Sequence, residues 1–259
     1  MAQEKKMTKK IRFSLILIYC VAITLLFLPF MKQALIIYRT QTVSIKTTET
    51  VKPAGIVPLE AVQPPGLSEV LAFEKNQTFQ TAGQIVIPKV EISLPLFSGV
   101  TNEQLLIGAG LLFPERKAEN QNIVAIGHHL GRNNLLFGKL LNIEVGDTIY
   151  LETQNQFYLY KVSQTKIIQQ TELQVLENRN KAEITLITCD KPTHTEQRFV
   201  VKGKLVKQPE KTIKQKILQQ KDQIRVKNDR KNRNYCIIIV ILFLFSLAMG
   251  IRMIMKVSR

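Results

Sequence analysis

Two stretches without a single charge frame this chain and constrain everything between them. Phe13 to Met31 reads FSLILIYCVAITLLFLPFM, a run whose length at helical rise approaches the thickness of a bilayer core. Tyr235 to Ile251 reads YCIIIVILFLFSLAMGI, with no polar face of the kind a helix on a soluble domain presents. Both are expected to be transmembrane helices, and Arg252 has a stem long enough to snorkel from the end of the second. The first run is longer than the apolar part of a usual signal peptide, and the KQALIIYRT that follows it has no small-x-small cleavage site, so it reads as an uncleaved anchor. Lys5, Lys6, Lys9, Lys10 and Arg12 precede it. That bias places residues 1–12 in the cytoplasm and the segment after the anchor outside. The second span then returns the chain, leaving 252–259 as a cytoplasmic tail. The flank ahead of Tyr235 is more basic than the flank after it, which favours the opposite orientation; we let the first anchor decide, because long domains translocate largely regardless of charge.

The formal charge of the 259 residues is +16. All of that excess sits in residues 1–12, 202–233 and 252–259, so residues 13–201 are neutral. A nucleic-acid-binding core is thereby excluded, since phosphate contacts would need a local excess of Lys and Arg. Of three cysteines, Cys20 and Cys236 lie in the proposed spans, leaving Cys189 as the one thiol of the outward segment. A disulfide-stapled module is excluded, and Cys189 is either a nucleophile or a small buried hydrophobe.

Residues 32–82 read as a stalk, polar and Thr-rich from Thr40 to Thr50 and interrupted by Pro53, Pro58, Pro64 and Pro65, with a short helix expected within Leu67 to Phe79. From Gly83 to Val206 the pattern changes to short β-rich runs: GQIVIPKVEISLPLFSG, NIVAIGHH, GDTIYLET, QFYLYKVSQTKII, EITLITC and RFVVKGKLV. Runs of this length and spacing predict an all-β barrel or sandwich. Pro88 and Pro95 should mark strand ends or edges. Thr101 reads as the N-cap of a short helix, and Leu135 to Leu140 as another helical turn. Residues 207–234 form a basic juxtamembrane linker with a weak stripe at Ile213, Ile217 and Ile224; its cations either meet anionic head groups or wall polymer or simply stay solvated.

A thiol of ordinary pKa is only a few per cent ionised at neutral pH, so a working cysteine needs a base or cation beside it. His128, at the end of NIVAIG, and Cys189, at the end of EITLIT, both sit at strand-to-loop junctions. Arg198 follows Cys189 by nine residues, a spacing that lets adjacent strands bring them face to face. Its permanent charge suits a developing oxyanion. Residue types alone leave catalysis and packing equally open.

The residues TLITC (Thr185 to Cys189), the Gly127–His128 pair, Arg198 ahead of a β run, and the opening GQIVIPKVEISLPLFSGV together resemble the sortases, cysteine transpeptidases of Gram-positive bacteria. The resemblance spans Gly83 to about Val206 and is nearest to class A. It implies an eight-stranded β-barrel with short helices, flanked here by transmembrane helices. It also implies that Cys189 attacks the Thr-Gly bond of an LPXTG-type sorting signal on a secreted protein, and that an amine of lipid II or peptidoglycan resolves the thioacyl enzyme. His128 would exchange protons with the leaving and entering amines, working from a minor thiolate–imidazolium form, and Arg198 would hold substrate and oxyanion. Thr188 would assist the same pocket, while Ile126, Ile187, Leu173 and Val175 would line an apolar groove for the signal. The family's histidine directly follows the glycine, which favours His128 over His129, and His194 is expected to face solvent.

Some sortases bind calcium through an acidic run ahead of the GH strand. Here that region is FPERKAENQN, too poor in carboxylates for a hard cation; no calcium dependence and no cofactor are expected. The second hydrophobic run departs from class A and resembles the class C enzymes that polymerise pilin, which leaves a pilin lysine as an alternative acceptor. No Asp-Pro-aromatic lid motif occurs in residues 40–82. A non-catalytic, membrane-anchored wall-binding module is the remaining alternative. Expected partners are sorting-signal proteins, the acceptor amine and membrane lipids, with no nucleic acid.

Overall fold

The computed structural model describes residues 8–40, 43–47, 64–74, 78–130 and 135–257. From the N-terminus run α1 (Lys9–Thr40), β1 (Ser44–Thr47), α2 (Leu67–Ala72) and β2 (Thr78–Thr81). Next come β3 (Gly83–Ile87), β4 (Ile92–Ser98), α3 (Asn102–Ile107), β5 (Ala109–Leu111) and β6 (Asn122–Ile126). β7 (Thr148–Thr153), β8 (Gln156–Gln169), β9 (Glu183–Cys189), β10 (Gln197–Leu205) and α4 (Glu210–Val257) complete the order. The chain divides into two units, one built from residues up to 37 together with those from 231 onward, the other from residues 38–230.

In the first unit the apolar parts of α1 and α4 pack as a helix pair. Phe27 meets Phe243 edge to face, and the Tyr19 hydroxyl donates to the Ser246 carbonyl at 2.6 Å. Both parent helices are long and apolar enough to cross a membrane. α1 extends past the expected span into the segment read as stalk. Pro29 does not end it, and nothing between Met31 and Thr40 breaks a helix.

In the second unit β3 to β10 close into a barrel in the order β10-β8-β7-β3-β4-β5-β6-β9, with β9 pairing back to β10. This is the eight-stranded all-β barrel that the resemblance implied. Its interior holds Ile85, Leu96, Ile123, Ala125, Leu151, Tyr160, Leu186 and Val201, contributed by alternate positions of each strand. Pairs β4–β5 and β6–β9 are parallel and the others antiparallel. Pro95 lies inside β4, and β5 begins its pairing only at Leu96, so the proline occupies an edge position on that side.

Thr101 caps α3 as its sequence predicts: its hydroxyl accepts from the Gln104 N–H, and the Gln104 carboxamide accepts in return. Leu135 to Leu140 departs from expectation, being turns ahead of a single 3₁₀ turn at Leu140–Asn142. The pairing of β1 with β2 outside the barrel was not anticipated. Pro53 and Pro58 lie outside the described residues. From Glu210 the basic linker is the first part of α4, and Ile213, Ile217 and Ile224 pack against Val86, Tyr150 and Leu159 on the barrel surface.

Candidate active site

β6 runs parallel to β9 in the register Ile126↔Ile187. The Gly127 N–H donates to the Ile187 carbonyl at 3.1 Å, so the ladder carries His128 level with Cys189. On the other side β10 runs antiparallel with Arg198 directly opposite Cys189. Residues at opposed positions share a sheet face. His128, Cys189 and Arg198 therefore form one row across three neighbouring strands, on the side turned away from the barrel interior. The row beneath it is Ile126, Ile187 and Val200, which pack with Leu105, Leu112, Ile168 and Val175 in a second apolar cluster on that outer face.

Gly127 is required by close approach. A Cβ there would stand 2.6 Å from the Phe137 ring, which is fully buried. The Phe137 N–H donates to the His128 carbonyl at 3.1 Å, so the same contact that demands glycine also holds the histidine.

All three members of the row are covered, with relative exposures of 3% for His128, 2% for Cys189 and 1% for Arg198. Burial holds the His128 imidazole down at about 4, and its Nδ1 has no hydrogen-bond partner among the described residues. Burial raises the Cys189 thiol; the Arg198 charge opposes that shift and Asp190 adds to it. Burial thus favours the uncharged forms of both groups, while the Arg198 guanidinium works in favour of the thiolate. Arg198 Nη1 donates to the carbonyls of Thr195 (2.8 Å) and Gln197 (3.1 Å), and Nη2 to Gln170 Oε1 (2.9 Å). These contacts fix the plane of the guanidinium. Asp190 Oδ1 in turn accepts from the Thr195 hydroxyl at 2.7 Å.

The other residues singled out in the sequence fall in different places. Ile126, Ile187 and Val175 lie together under the row. Leu173 begins the 3₁₀ turn Leu173–Leu176 and is 55% exposed. Thr188 is opposite Phe199, and its hydroxyl is buried with no hydrogen-bond partner among the described residues. As the neighbour of Cys189 on one strand it points to the other face of the sheet. His194 is exposed. His129 is buried, with Nδ1 3.0 Å from the Cys189 carbonyl oxygen.

Contacts that spacing did not reveal hold the 3₁₀ turn in place. Asn122 Nδ2 donates to the carbonyls of Val175 (3.1 Å) and Glu177 (3.2 Å), while its Oδ1 accepts from the Thr185 hydroxyl (2.8 Å). Arg116 Nη1 donates to the carbonyls of Asn122 (3.0 Å) and Leu176 (2.8 Å), with its guanidinium 3.6 Å from the Phe113 ring centroid. Neither residue carries a sequence signal for this role.

The model of the sortase domain matches residues 85–206. Over 202 residues the chain is 34% identical to sortase A of Listeria monocytogenes, an alignment covering 74% of this chain and 90% of that protein. The chain belongs to the sortase family. Sortases are cysteine transpeptidases. This sortase is also 30% identical over 178 residues to sortase A of Streptococcus agalactiae, covering 66% of this chain and 72% of that one. The crystal structure of Listeria monocytogenes sortase A aligns with 49% of this sortase and 88% of its own chain, at 41% identity and a TM-score of 0.47.

Proposed function

We propose that this sortase cleaves an LPXTG-type sorting signal between Thr and Gly and transfers the acyl group to an amine of lipid II or peptidoglycan, anchoring secreted proteins to the cell wall. The observation that carries the reading is the single row of His128, Cys189 and Arg198. Cys189 Sγ attacks the threonine carbonyl carbon, with its proton held on the His128 imidazole. The C–N bond to glycine breaks as His128 returns that proton to the leaving amine. The acceptor amine then attacks the thioester, its proton passes to His128, and the C–S bond breaks to restore the enzyme. Arg198 offsets charge on the carbonyl oxygen in both tetrahedral intermediates. Ile126, Ile187 and Val175 form the apolar bed for the signal, with Leu173 at its rim. The positive-inside bias puts this chemistry on the outer side of the membrane.

A fluorogenic LPXTG-type peptide tests the reading. Cys189→Ala should abolish cleavage; a parent protein that cleaves no more than that variant would leave the non-catalytic wall-binding module as the better account. The second apolar helix favours one further reading, in which the acceptor is a pilin lysine. Supplying an oligoglycine or dialanine-type amine against a pilin lysine peptide separates the two by which product forms. We also propose that turnover is independent of calcium. The Arg116 guanidinium lies in the region ahead of β6, and its charge disfavours a divalent cation there. EDTA should leave the rate unchanged, and a severalfold rise on adding calcium would refute this.

A further inference from the structure

The end of β9 carries Cys189, so whatever fixes the main chain there also fixes the sulfur. On the β10 side, the Asp190 N–H reaches the Gln197 carbonyl at 3.4 Å, and the Asp190 carboxylate takes the Thr195 hydroxyl. On the β6 side the parallel ladder ends with the Gly127 N–H on the Ile187 carbonyl. Parallel ladders repeat every two residues, so the next rung would bring the His129 main-chain N–H to the Cys189 carbonyl. By that point the chain is turning away: Leu136 bridges to His129, and the Phe137 N–H takes the His128 carbonyl. The His129 side chain meets the demand, with Nδ1 3.0 Å from the Cys189 carbonyl oxygen. A carbonyl acceptor assigns the proton to Nδ1.

We infer that His129 is a positioning residue for the nucleophile, its imidazole Nδ1–H standing in for the next rung of the β6–β9 ladder and holding the Cys189 carbonyl so that Sγ stays in line with His128 and Arg198. The two consecutive histidines then divide the work. His128 faces the reacting atoms, and His129 secures the strand that delivers the sulfur. Burial gives the contact its weight, because a hydrogen bond to a carbonyl away from water is costly to lose and the strand end would shift in response. A displacement on the scale of an ångström is enough to slow an attack that depends on orientation.

The inference rests on Cys189 being the nucleophile, and full-length protein in detergent with the LPXTG-type peptide tests both separately. If Cys189→Ala cleaves as well as the parent, the functional reading fails, whatever His129 does. Given cleavage that depends on Cys189, His129→Ala should lower kcat about ten- to a hundredfold and leave KM within about twofold. Asn and Gln supply the discriminating pair, since the Asn amide nitrogen superposes on imidazole Nδ1 while that of Gln lies one methylene further out. His129→Asn should restore kcat to within about threefold of the parent and keep its pH profile, and His129→Gln should behave like His129→Ala. Circular dichroism of each variant separates loss of alignment from loss of fold. A His129→Ala enzyme with parental kcat, or a Gln variant equal to the Asn variant, overturns the inference. So does an inactive, folded His129→Asn beside an active His128→Asn, which would make His129 the acid–base group itself.

Discussion

His128 is buried in a place that disfavours its charge, and folding stability should register that cost. Its pKa is held at about 4 in the folded protein, against an ordinary value near 6.5. The unfolded chain therefore binds more protons between those values, and stability rises with pH across that window. His128 should contribute up to about 3 kcal/mol of stability that is fully present above pH 6.5 and lost as pH falls through 4. Urea unfolding of the parent and of His128→Asn from pH 3.5 to 7.5 checks this; parallel curves would rule it out. Arg198 supports a sharper prediction. Its contacts with Thr195, Gln197 and Gln170 use the fork geometry of a guanidinium, so Arg198→Lys should lower kcat/KM at least a hundredfold, about the cost of losing an oxyanion donor, although the charge is kept. At this scale the sequence was legible where chemistry is tied to residue type: a lone thiol at a strand end, an imidazole after glycine, a cation nine residues on. Gln170 and His129 were not, because their partners are set by strand register, which spacing along the chain does not encode.

Among the elements, the 3₁₀ turn Leu173–Leu176 depends most on contacts from elsewhere. Asn122→Leu removes the carboxamide that holds the carbonyls of Val175 and Glu177, so the turn should lose its seat on the outer face of β6 and β9. The expected result is a KM for the signal peptide raised about fivefold or more, equivalent to about 1 kcal/mol, with kcat nearly unchanged; a fall in kcat at constant KM would place the effect at the row instead. Gly127→Ala should destabilise by about 1–3 kcal/mol through overpacking, because the Phe137 ring it would strike has no room to withdraw. Strands with strong alternation or β-branched runs were legible before any coordinates, as β6, β8, β9 and β10 illustrate. β5 was not. Ala109–Leu111 is too short to display a period, and it is defined by pairing with β4 and β6 rather than by its own residues. The N-cap at Thr101 was readable for the opposite reason, since both of its hydrogen bonds close within four residues.

For the molecule as a whole, the first part of α4 is more than a stem. Besides its isoleucine stripe, Lys227 and Lys139 both pair with the Glu91 carboxylate, and Asn228 Nδ2 donates to the Glu91 carbonyl at 3.0 Å. Ion pairs that keep access to water contribute little, and these are only partly covered, so the buried isoleucines should dominate. Ile217→Ser should speed amide hydrogen exchange across residues 210–230, while kcat/KM for the signal peptide stays within about twofold of the parent; unchanged exchange would mean the helix is held by its charges instead. In sequence the segment reads as a linker because its charges outnumber its apolar residues, and the stripe gains meaning only from the barrel surface beneath it. The parallel pairing of β6 with β9 reaches furthest. Strands side by side in the same direction cannot be joined by a tight hairpin, and here β7 and β8 lie in the intervening chain. Sulfur and imidazole thus remain strangers until that long excursion has closed, an entropic hurdle met only when the barrel shuts. A newly made chain would travel as an inert thread, its reactivity switched on by the closure that gives it shape.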